Sequence, residues 1–185
     1  MPPPQNMSPV FTSKNSFSLG KARSGMCFAM TCNWIKLAKQ HGIKGSAQVM
    51  APNQLLFASI VHAGYKNMIN TGMDTNRRQE KLVYKQYGLK VLASVSISDF
   101  DKITQSEVLQ NDPYFFEFEL PGHSVGLCLS ESEQCVYFFD PNYGCYRLTL
   151  DRVNDFFLYL YDEYVEEDGH LDECAINYVV LTVPG

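Results

Sequence analysis

From Pro113 to Leu150 the sequence is written for an antiparallel sheet, and the rest of the chain must fold around it. "PYFFEFEL" alternates and is aromatic, and "HSVGLCLS" and "CVYFFDP" follow as two further β-type runs. The polar turn "ESEQ" joins those two, as a hairpin would require. "GCYRLTL" is another strand, "LKVLASV" (89–95) precedes the group and "CAINYVVLTV" (174–183) closes it. "LDRVNDFFLYLYDEY" carries an amphipathic helical pattern, with the aromatic residues of 156–164 recurring at helical spacing so as to pack on the sheet.

The first half reads as helices. In "MCFAMTCNWIKLAKQHG", Phe28, Thr31, Ile35 and Ala38 recur at helical spacing, and Met30, Trp34 and Leu37 add a second apolar stripe. Such a helix is buried on most sides, with Trp34 as a core anchor and Gly42 as its end. "PNQLLFASIVHAG" (52–64) and "DTNRRQEKLVYKQYG" (74–88) read as two more helices, the latter capped by Asp74 and stopped by Gly88. A fourth is expected in "SISDFDKITQSEVLQ". Helices first and an antiparallel sheet second is the α+β pattern. Residues 1–19, rich in Pro, Ser and Asn, read as a flexible leader, and 20–185 as one domain.

Composition narrows the function. A net charge of −5 argues against nucleic acid as a partner, because phosphate binding usually shows a basic face. No run of about 18 apolar residues suggests a transmembrane segment. The first ten residues have neither the charged nor the apolar part of a secretory signal, and Pro2 excludes N-myristoylation. Six cysteines could pair as disulfides, but a chain of this size needs no staples and, without a secretory signal, is expected in a reducing compartment. Cys128, Cys135 and Cys145 lie too far apart for a zinc knuckle, so no metal and no cofactor is expected. "DEYVEEDGHLDE" (162–173) fails the calcium-loop pattern at Tyr164 and Ala175. It is a solvated loop, or a surface that steers a basic substrate segment.

Three places concentrate reactive side chains. Cys27 opens the buried helix, where unpaired N–H groups and the helix dipole favour the thiolate form of a sulfur placed there. Cys32, further along the same helix, reads as core. His123 in "LPGHSVGL" begins a strand, and Asp140 in "FFDPNYG" ends one. If those strands form the hairpin about "ESEQ", His123 and Asp140 come to the same end of it. A Cys–His–Asp set then makes chemical sense. The imidazole takes the thiol proton, the carboxylate orients the ring, and the imidazolium later protonates a leaving amine.

These residues resemble the YopT/AvrPphB-type cysteine proteases, papain-like enzymes of bacterial virulence effectors and toxin modules. The resemblance is carried by "SGMCFAMTCNWI", "GHSVGL" and, most specifically, "FFDPNYGCYRL" followed by an aromatic helix. It runs from about residue 20 to the C-terminus, with a Cys-to-His interval somewhat short for the family. It implies a nucleophile helix packed on a central antiparallel sheet with additional outer helices. Cys27 is implied as the nucleophile, His123 as the general base and acid, and Asp140 as the orienting group. The implied partner is a host protein substrate, such as a small GTPase with a basic tail or a kinase, met by a monomer delivered into the host cell cytoplasm. The oxyanion hole departs from the papain-like pattern, since "GKARSG" upstream of the cysteine offers no Asn or Gln. Its second donor is then Lys21, Arg23, Ser24 or a more distant residue. The same triad also serves amidases, deamidases and acyl transferases, and the scaffold can serve as a binding module without catalysis.

Overall fold

Every β-type run read from the sequence is a strand of a single antiparallel sheet. The computed structural model describes residues 7–12, 26–49, 83–96, 112–120, 123–155, 158–159 and 177–182. In chain order these hold β1 (Ser8–Thr12), α1 (Met26–Val49), β2 (Lys90–Ser96), β3 (Tyr114–Leu120), β4 (His123–Ser130), β5 (Cys135–Asp140), β6 (Gly144–Thr149) and β7 (Asn177–Thr182). The sheet has seven strands in the order β1-β6-β5-β4-β3-β7-β2. β3 to β6 follow one another as a meander, and β7 inserts between β3 and β2. The α+β expectation, with a central antiparallel sheet against the cysteine-bearing helix, holds.

Both faces of the central strands are covered, which is why β5 reads as an unbroken apolar run instead of an alternating one. One face takes α1: Trp34, Ile35 and Cys32 pack with Phe115, Cys128 and Phe139. The other gathers Phe116, Phe118, Leu127 and Phe138 with Tyr159. Trp34 is fully buried and stacks on Phe139 with ring centroids 5.3 Å apart. It lies so close to β4 that a Cβ built on Gly126 would meet its ring at 2.6 Å. Trp34 is therefore the core anchor expected of it, and Cys32 is core.

The helix ends also follow their glycines. α1 breaks at Gly42, where φ is 73°, and a shorter helical segment continues beyond the kink. Residues 83–86 are helical and stop at Gly88, with φ of 70° and Leu89 N–H donating to the Tyr84 carbonyl at 2.8 Å. After β6 a 3-10 turn, Leu150–Arg152, leads into helical residues 153–155 and 158–159.

One expectation needs correction. Within the stretch read as a flexible leader, Ser8–Thr12 form an edge strand paired antiparallel with β6. Phe11 sits 6.0 Å from Phe139, ring to ring, and so joins the α1 side of the core. Pro9 is tolerated because an edge strand needs pairing on one side only. The expected helices at 52–64 and after Ser96 lie outside the described residues, as do the acidic stretch 162–173 and the upstream segment "GKARSG".

Candidate active site

The hairpin geometry brings His123 and Asp140 together. β4 and β5 pair in a register that sets Gly126 opposite Phe139 and Ser130 opposite Cys135, around the turn 131–134. One further step of that register sets Asp140 opposite Val125, two residues from His123. Residues two apart share a face, so the histidine is the diagonal neighbour of the carboxylate. The side chains meet: His123 Nε2 donates to Asp140 Oδ1 at 3.1 Å.

Asp140 is fully buried and holds its place through three donors. Besides His123, the Asn142 N–H donates to Oδ1 at 2.8 Å, the turn closure that "Asp-Pro-Asn" encodes. The Tyr159 hydroxyl donates to Oδ2 at 2.9 Å from the face opposite α1. A carboxylate with this many donors is held in one orientation, and so is the ring it binds.

Cys27 reaches the histidine from the helix side. Two contacts fix how α1 lies on β4: Thr31 Oγ1 donates to the Ser124 carbonyl at 3.1 Å, and Trp34 rests on Gly126. Helix and strand therefore run in the same direction. Cys27, one turn before Thr31, falls at the start of β4, where His123 stands. The sulfur lies near enough to the ring to raise its proton affinity. With Nε2 committed to Asp140, the nitrogen left for sulfur is Nδ1. All three sequence candidates are thus brought to one place, in the order sulfur, imidazole, carboxylate.

The electrostatics favour a charged ring. His123 is 9% exposed, and burial by itself lowers the pKa of an imidazole. Hydrogen bonding with Asp140 and Cys27, and their electrostatic influence on the ring, overcome that and raise it to about 9. Burial pushes the thiols of Cys128 and Cys145 up, as expected for inert core sulfur. Among the described residues no group of His, Cys, Asp and Glu is arranged to hold a metal ion.

Sequence reasoning had no means of finding Tyr159, which belongs to an aromatic stripe where Phe and Tyr look alike. It also passed over Glu117, a carboxylate at 1% exposure in the middle of β3. The only signal for that one was a glutamate among aromatics in a strand that turns out to be covered on both faces.

A cysteine at the mouth of a helix, docked on an antiparallel sheet that presents a His–Asp pair, defines the papain-like cysteine protease fold. Solved structures share it. The Pseudomonas avirulence protein AvrPphB matches with a TM-score of 0.65 at 13% identity, over 93% of this chain and 96% of that one. A ubiquitin-specific protease encoded by murine cytomegalovirus, solved with a ubiquitin-based suicide substrate, matches at 0.53 and 10% identity, over 95% and 84%. PatoxP, a cysteine protease-like domain of the Photorhabdus asymbiotica toxin PaTox, matches at 0.51 and 13% identity, covering 95% of this chain but 52% of that one. No family model and no curated protein sequence matches the chain. The resemblance read from the sequence is thus upheld at the level of fold.

Proposed function

We propose that this chain is a cysteine endopeptidase acting on a protein of a host cell through Cys27, His123 and Asp140. The observation that carries this reading is the placement of the Cys27 helix mouth at the start of β4, beside a His123 ring hydrogen-bonded to Asp140 and raised in proton affinity by the sulfur. His123 Nδ1 holds the thiol proton, leaving a thiolate beside an imidazolium. The sulfur attacks the carbonyl carbon of the scissile amide. The developing oxyanion meets the Cys27 N–H at the helix mouth. Collapse breaks the C–N bond, the imidazolium gives its proton to the departing amine, and a thioester remains. His123 then takes a proton from water, the hydroxide attacks the thioester, and the acid leaves as the thiolate–imidazolium pair is restored. Asp140 stays ionised throughout and keeps Nε2–H pointed at itself.

A protein substrate is supported by the similar structures, which include a ubiquitin-specific protease. A host location is supported by an avirulence protein and a toxin domain among them. The net charge of −5 suits a substrate with a basic segment. No helix among the described residues is long and apolar enough to cross a membrane.

The test compares Cys27→Ala with Cys32→Ala in host-cell extract, reading new protein N-termini by mass spectrometry. Cys27→Ala should lose at least on the order of 10³-fold in cleavage rate, the scale of removing a nucleophile from a triad. Cys32→Ala should keep its activity and lose roughly 1 kcal/mol of stability, as for a small core truncation. Cleavage undiminished in Cys27→Ala contradicts the proposal. Deamidated or acylated products in place of new N-termini reassign the reaction to another acceptor of the same thioester.

A further inference from the structure

Among the described residues, the triad leaves one buried carboxylate, Glu117, without a task. Glu117 lies on β3 directly opposite Gly126, on the face that carries α1. Its Oε1 accepts the Ser124 hydroxyl at 2.5 Å, and its Oε2 accepts the Tyr84 hydroxyl at 3.1 Å. Each donor leads to one half of the reacting pair. Ser124 is the residue after His123, and its carbonyl also receives Thr31 of α1. Tyr84 packs edge-on against Phe28, the residue after Cys27, with ring centroids 5.1 Å apart at 86°.

Placing a carboxylate here is costly. A well-packed apolar side chain in the same space would stabilise the core at least as well, because burying the charge forfeits its hydration. What the carboxylate adds is geometry. Two acceptor oxygens on a rigid plane fix the strand bearing His123 relative to the helical turn against Phe28. We propose that Glu117 is a positioning residue that sets the separation of the Cys27 sulfur and the His123 ring. The proposal rests on the catalytic reading of those two residues.

The experiment measures the rate of Cys27 alkylation by iodoacetamide at neutral pH, mapped by mass spectrometry and expressed per folded molecule. It is run on the wild-type protein, His123→Ala and Glu117→Gln. Gln keeps the shape but offers one acceptor in place of two. Wild-type Cys27 should react faster than in His123→Ala. Glu117→Gln, with an unchanged circular dichroism spectrum, should slow alkylation about 10- to 100-fold, the penalty of a small misplacement of reacting groups. A merely structural role would lower the melting temperature and leave the alkylation rate of the folded protein at the wild-type value, and that result overturns the proposal. Ser124→Ala and Tyr84→Phe remove one hydroxyl each and carry the same comparison if Glu117→Gln does not fold. Their effects should be less than additive when combined, since both act through one carboxylate. Wild-type rates in both also overturn it. Equal rates in the wild type and His123→Ala would instead remove the catalytic reading itself, and this proposal with it.

Discussion

Asp140 shows how much of the site is decided by single atoms. Its two oxygens take an imidazole N–H, a backbone N–H and a phenol O–H. Two of these were legible in the sequence. The "DPN" that ends the strand carries the turn chemistry that uses the Asn142 N–H, and the hairpin about "ESEQ" brings His123 alongside. The third was not, because nothing in an aromatic helical stripe marks which ring carries a needed hydroxyl. The expected cost of Tyr159→Phe follows from leaving a fully buried, charged acceptor short of a donor: roughly 1–3 kcal/mol of stability. Urea denaturation measures that loss. The same variant should turn over substrate more slowly, because the carboxylate that orients His123 is held by fewer donors. Wild-type stability would show that the phenol contributes nothing to holding Asp140.

At the scale of elements, the site depends on where α1 sits along β4. Thr31 on Ser124 and Trp34 on Gly126 set that position, and Cys27 inherits it one turn earlier. Gly126→Ala should therefore act on chemistry from a distance. The added methyl would lie 2.6 and 2.7 Å from two Trp34 ring carbons, and neither a stacked indole nor a central strand yields cheaply. Overpacking of this kind costs about 1–3 kcal/mol. The fluorescence of Trp34, the only tryptophan in the chain, should change in the folded variant, and cleavage should fall with it. Unaltered fluorescence would mean that the helix is not wedged on this glycine. The sequence displayed these elements well where periodicity was strong: the buried helix with its end at Gly42, the aromatic strands, the stop at Gly88. It hid β1, since five residues with a proline have too little pattern to stand out from a polar neighbourhood. That strand exists because β6 offers an unpaired edge and Phe11 finds Phe139, which are properties of the assembled sheet. Glu117 was hidden for a similar reason. Alternation places it beside Glu119 on one face, and only the packing of α1 and Tyr84 decides that Glu119 is exposed while Glu117 is buried.

Across the whole molecule, the site and the fold are linked through a proton. His123 binds it more tightly in the folded protein, at about 9, than the ordinary 6.5 of an unfolded chain. Its contribution to stability is therefore complete below pH 6.5 and is lost as pH rises through about 9. Catalysis should fall over the same alkaline range, because the imidazolium that protonates the leaving amine disappears. Both effects depend on the sulfur and the carboxylate lying on either side of one ring. The most direct measurement of that arrangement is the titration of His123 by NMR, with its ring labelled in ¹³C and ¹⁵N, in the wild type and in Cys27→Ala. The wild-type ring should stay charged through neutral pH and titrate near 9, and removing the sulfur should move the midpoint down toward 6.5. A wild-type midpoint near 6.5 that ignores the loss of Cys27 would contradict the thiolate–imidazolium pair on which the proposed activity depends.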